Sequence, residues 1–195
     1  MATEAPESHV ARGRILARLK QETVREHEAI EAVAVATGFL VDAGAYRRYL
    51  RAMYGFFAAI EPELARALPE LAGRAKLDWL RADLVALGEV PDAVRVCPDI
   101  RPFTDRSRAF GASYVVEGSM LGGRYILDRL RRAGVAPEAR TFFTGYGPDT
   151  GARWRSFVAM LGAFAGEDGC SDAIVEGANA TFLTLRGWLS RLPAA

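Results

Sequence analysis

Apolar side chains return every three or four residues along most of this chain, and no stretch sustains the alternation of a half-buried strand. That period constrains the fold most, because it gathers apolar groups on helix stripes that are buried only against other elements. Leu16, Leu19, Thr23, His27, Ile30 and Ala34 share one stripe and predict a single first helix. Asp42 is placed to cap a second, which carries Tyr46, Tyr49, Leu50, Met53, Phe56, Phe57 and Ile60 on to Leu64. A shorter helix is predicted over 77–87, and Pro91, Pro98 and Pro102 mark a loop after it. The pattern resumes at Asp105, runs through Phe110, Tyr114, Glu117, Leu121, Tyr125 and Asp128, and stops near Gly134. Pro137 opens another helix, which breaks at the glycines of 145–151 and resumes through Trp154, Phe157 and Leu161. The last helix carries Ile174, Ala178, Phe182, Leu185 and Leu189. The expectation is an all-α single domain over 13–195, with residues 1–12, His9 among them, frayed.

Composition narrows what such a bundle can do. With 195 residues, half of them apolar, the chain can bury a substantial core, which excludes disorder. Twenty-five basic against 24 acidic side chains leave a net charge of +1, without the basic excess of a nucleic-acid binder. No apolar run approaches the roughly 18 residues of a membrane helix. The opening MATEAPESHVARGR lacks a signal-peptide core, so the expected location is cytoplasmic, with neither membrane nor nucleic acid as partner. In that compartment Cys97 and Cys170 are free thiols. Two histidines are too few for a histidine-rich metal site, so any chemistry uses few titratable groups or a borrowed cofactor.

His27 lies on the apolar stripe of the first helix, which predicts a side chain turned inward. Glu31, four residues on, can accept a proton from one imidazole nitrogen and leave the other free for a metal. On one straight helix Lys20 would stand about 20° around and about 10 Å along from His27, suited to an anionic group of a flat ligand. The plainer alternative is a core histidine satisfied by Glu31, with Lys20 solvated at the rim. Farther on, Gly118, Gly122 and Gly123 interrupt a strong helical pattern, each disfavouring helix by about 1 kcal/mol relative to alanine. A side-chain-free face permits a kink and lets the backbone approach a planar ligand, or else another helix.

The segments LKQETVREHEAIE, YVVEGSMLGG and FFTGYGPDTGARW together resemble heme oxygenases, most of all the bacterial branch that accompanies bacteriophytochromes. The resemblance implies heme held between a proximal and a kinked distal helix, and its cleavage by O2 and electrons to biliverdin, carbon monoxide and ferrous iron. It implies His27 as the proximal ligand of heme iron, Glu31 as its hydrogen-bond partner, and Lys20 and Arg153 on the propionates. Gly118, Ser119, Gly122 and Gly123 would form the distal segment, the first three positioning the reaction, and Phe182 would line the pocket. An electron donor such as a ferredoxin or a flavoprotein reductase is implied, and a bacteriophytochrome as acceptor of the biliverdin. Mammalian-type members carry an aspartate directly after the first distal glycine; Ser119 stands there, as is usual in the phytochrome-associated branch. A hydroxyl still organises water, but it is neutral and shorter.

Two rivals differ in class. One is a carrier or sensor that binds heme through His27 without turnover. The other is a heme-free helical relative that handles thiamine precursors or quinone cofactors, against which His27, Glu31 and Lys20 on one face argue. Cys97-Pro98 resembles a heme-responsive Cys-Pro element, a match too short to carry that reading. Arg47, Arg48 and Arg51, and likewise Arg129, Arg131 and Arg132, form basic faces open to solvent or to an acidic donor. The aromatic stripe Tyr46, Tyr49, Phe56, Phe57 reads as core.

Overall fold

The computed structural model describes residues 6–168 and 170–193, with side chains from 12 to 166 and from 170 to 193. Among these residues the chain forms helices and no strand. In order they are α1 (Pro6–Glu22), α2 (Val24–Ala36), α3 (Ala43–Ala67), α4 (Leu77–Ala86), α5 (Arg106–Gly118), α6 (Gly123–Arg132), α7 (Thr141–Thr144), α8 (Thr150–Asp168) and α9 (Ser171–Leu189). Short 3-10 turns join several of them, one at Ser119–Gly122 between α5 and α6.

The first stripe departs from expectation, since it belongs to two helices. Thr23 sits between them with ψ near zero at −1°. Its hydroxyl donates to the Leu19 carbonyl at 2.7 Å, a bond back into the preceding turn that bends helices. Lys20 therefore lies on α1 and His27 on α2, and the single-helix geometry relating them does not hold. Helix α1 also begins at Pro6, within the stretch expected to fray; residues 1–5 and the side chain of His9 lie outside the described residues.

The aromatic stripe of α3 is core. Tyr46, Phe56, Phe57 and Ile60 are almost wholly buried, each fully buried large apolar side chain contributing about 1.5–3 kcal/mol. Tyr46 also donates its hydroxyl to the Ala139 carbonyl at 2.6 Å, which satisfies the one polar atom it buries. Asp42 and Asp105 cap α3 and α5 by accepting from Ala45 N and Arg108 N. Helix α5 lies along α9, and glycines set that distance. A Cβ on Gly111 would stand 2.0 Å from the Ile174 carbonyl oxygen, and one on Gly177 2.3 Å from that of Arg108. Helix α7 is capped across space: buried Asp83 of α4 accepts from Thr141 N at 2.6 Å and Phe142 N at 2.9 Å. No helix among the described residues is long and apolar enough to cross a membrane.

Candidate active site

Helix α2 packs on α9 and presents His27 beside Phe182, the two rings edge to face with centroids 5.7 Å apart. The imidazole is not turned inward as the stripe suggested, because 55% of the side chain is exposed. The break at Thr23 reorients the stripe: Ile30, one turn on, is buried, while His27 reaches the surface. His27 Nε2 lies 3.7 Å from Glu31 Oε1, in ion-pair range but beyond a hydrogen bond. No hydrogen bond engages either ring nitrogen among the described residues.

The distal segment breaks where the glycines cluster. Gly118 ends α5, and a Cβ there would touch only the Trp154 ring, at 3.9 Å. Gly122 faces open space, with nothing within 4 Å of such a Cβ. Gly123 differs, being buried with its Cβ direction 2.3 Å from the Phe143 carbonyl oxygen, so it serves the packing of α6 on α7. Ser119 is exposed and donates its hydroxyl to the Val116 carbonyl at 2.8 Å. The Tyr114 ring lies 5.8 Å from that of Trp154, on the same stretch of α5 that ends at Gly118. Burial pushes the Tyr114 phenol above the ordinary tyrosine range. Lys20 is exposed near the end of α1, and Arg153, in the first turn of α8, lays its guanidinium over the Tyr146 ring at 5.1 Å.

These groups suit a planar metal macrocycle bearing carboxylates. An imidazole that makes no hydrogen bond could bind the metal, a side-chain-free backbone could meet a flat face, and two exposed cations could take anionic groups. Among the described residues no group of three or more His, Cys, Asp or Glu could hold a metal ion.

A buried ionic cluster beside the break was not expected from sequence. Glu117 accepts from the Arg74 guanidinium at 2.7 Å and from Lys76 Nζ at 2.5 Å. Burial pushes the Lys76 ammonium below the usual lysine range, against the pull of Glu117. The available signal was a glutamate on an apolar stripe, one residue before the first distal glycine. A cavity of about 250 Å³ lined by Leu64, Leu68, Ser113, Val116 and Glu117 opens on this cluster, on a different face of α5 from Tyr114 and Gly118. The basic faces are partly neutralised: Arg47 and Arg51 pair with Glu89, and Arg131 and Arg132 pair with Asp128.

Fold and site together define a class, an all-helical protein with one exposed histidine on α2 and a glycine-rich break between α5 and α6. Residues 14–191 match the heme oxygenase family model, and the chain belongs to that family of heme-degrading, biliverdin-yielding enzymes. A heme oxygenase of Xanthomonas campestris pv. campestris is 33% identical over 126 residues, covering 62% of this chain and 74% of that relative. The heme oxygenase PigA of Pseudomonas aeruginosa is 31% identical over 171 residues, covering 83% of each chain. Among solved structures, the NO- and CO-bound heme oxygenase of Neisseria meningitidis superposes with a TM-score of 0.74 at 25% identity, covering 90% of this chain and 92% of that one. The heme oxygenase of Leptospira interrogans shares the fold, with a TM-score of 0.71 at 21% identity, covering 91% and 99%.

Proposed function

We propose that this chain binds heme through His27 and opens its ring beside the glycine break, consuming O2 and electrons and yielding biliverdin, carbon monoxide and ferrous iron. The observation that carries the reading is the half-exposed His27 imidazole, which makes no hydrogen bond among the described residues, in a chain whose α5 ends at the side-chain-free backbone of Gly118 and Gly122. Bound heme supplies both the ring that is cut and the iron at which O2 is reduced.

The protein's part is to bind, orient and supply protons. His27 would supply an imidazole nitrogen to the heme iron, and Glu31 would pair with the other ring nitrogen. Lys20 and Arg153 take the propionates, and Phe182 supports the imidazole from α9. Gly118 and Gly122 admit the ring face against the backbone. The Ser119 proton is committed to Val116, so its oxygen accepts from water, and that water can donate onward. A ferredoxin or flavoprotein reductase with an acidic face fits the arginines of α6, where Arg129, Arg131 and Arg132 outnumber Asp128. The sequence likeness supports a cytoplasmic reaction with a bacteriophytochrome as the acceptor of biliverdin.

Aerobic single turnover of the hemin-loaded protein with a chemical reductant and catalase tests the activity. Soret decay with biliverdin identified by chromatography is expected, and a Soret band that persists overturns turnover. His27→Ala is expected to lose the wild-type Soret spectrum; retaining it would remove His27 from the iron.

A further inference from the structure

Arg153 is held from two directions, and both holds lead to Glu117. The Arg74 guanidinium, paired with Glu117 at 2.7 Å, also donates to the Arg153 carbonyl and to Ser156 Oγ, each at 3.2 Å. The Arg153 side chain rests on the Tyr146 ring at 5.1 Å. The Tyr146 hydroxyl lies 3.4 Å from Glu117 Oε1 and 3.3 Å from the Arg74 carbonyl oxygen, to which it donates. Lys76 closes the group, 2.5 Å from Glu117 and 5.5 Å from the centre of the Tyr146 ring. Arg74, Lys76 and Glu117 are 9%, 0% and 4% exposed. A buried ionic cluster adds little net stability over apolar packing of the same shape, so its use lies in fixing register. Here the register is between the first turn of α8 and the residue directly before Gly118.

We propose that Glu117 and Tyr146 are positioning residues that tie Arg153 to the distal break and thereby set which edge of the heme ring meets that break. The proposal rests on the reading that Arg153 takes a heme carboxylate. Heme held by His27 alone would be free to turn about the bond between iron and imidazole, so the rim cations, Arg153 with Lys20, would set the angle. An arginine on a long exposed side chain sets it loosely; one stacked on a fixed ring and held by its own carbonyl sets it sharply. The angle matters only relative to the segment that selects the ring edge. A rigid link between rim cation and break meets that requirement.

The test compares wild type with Arg153→Ala, Tyr146→Leu, Tyr146→Phe and Glu117→Gln. Each is titrated with hemin, and proton NMR spectra are taken of the ferric, cyanide-bound complexes, where shifted heme methyl signals report the rotation angle without turnover. Arg153→Ala, Tyr146→Leu and Glu117→Gln are each expected to show an additional set of methyl signals. Hemin affinity should fall about two- to fivefold on losing the cation–π contact in Tyr146→Leu. Tyr146→Phe keeps the ring under Arg153 and loses only the hydroxyl link, so it is expected to show the additional methyl signals more weakly than Tyr146→Leu, an ordering that a general loss of structure would not give. If Tyr146→Leu fails to fold, Glu117→Gln, which preserves shape, decides. A wild-type spectrum from Arg153→Ala, or from either folded positioning variant, overturns the proposal. Failure of wild type to bind hemin, or unchanged binding in His27→Ala, overturns the underlying assignment of the site instead.

Discussion

Gly118 and Gly122 leave space that a methyl group could enter, whereas at Gly123 the Phe143 carbonyl already occupies it. Substitutions at these positions should therefore separate binding from folding. Gly122→Ala is expected to raise the stability of the heme-free protein by up to about 1 kcal/mol, since alanine has the better helix propensity and meets no neighbour. It should also slow turnover by crowding the ring face. Gly123→Ala is expected to destabilise by about 1–3 kcal/mol through overpacking. Thermal melts of the two heme-free variants check both signs, and a lower melting temperature for Gly122→Ala would contradict the open space at that site. The sequence pattern marks all three glycines alike, because nothing local tells a glycine facing solvent from one facing a backbone carbonyl of the next helix. His27 was legible as the candidate ligand, but not its exposure, which follows from the bend at Thr23.

Among elements, the shortest helix is the one most dependent on a distant residue. Helix α7 has four residues, and its first amides are capped by Asp83, 58 positions earlier. Removing that carboxylate leaves the Thr141 and Phe142 amides without their partner. Asp83→Ala should thus lower stability by about 1–2 kcal/mol, read as a lower urea midpoint with an unchanged slope. Asp83→Asn, which keeps an acceptor, should lose less. Asp42 and Asp105 cap their own helices and were legible at Asp42 from the following apolar run; Asp83 caps a helix it does not precede, so no local pattern reveals it. The spacing of α5 and α9 was hidden for the same reason, since Gly111 and Gly177 each make sense only opposite the other's helix.

At the scale of the whole molecule, the aromatic interior makes stability depend on alkali. Burial holds the phenols of Tyr46, Tyr49 and Tyr146 above the ordinary tyrosine range in the folded state. A tyrosine in the unfolded chain ionises near pH 10. The folded protein therefore keeps protons that the unfolded one releases, and the stabilisation present below about pH 10 is lost as pH rises through the folded values. Melts from neutral to strongly alkaline pH should show the temperature dropping beyond about pH 10, with phenolate absorbance appearing together with unfolding. Replacing Tyr49 with Phe should soften that drop. By itself the sequence determined an all-helical chain, its approximate helices, the histidine and the glycine segment, because periodicity, capping and motif spacing are local properties. Only the tertiary structure decided that the first stripe bends, which glycines are open, and that Glu117, Arg74, Lys76 and Tyr146 converge on Arg153. Those four residues come from three separated parts of the chain, and their pairing reflects the low dielectric of a shared interior, where a charge must find its partner wherever the fold brings one.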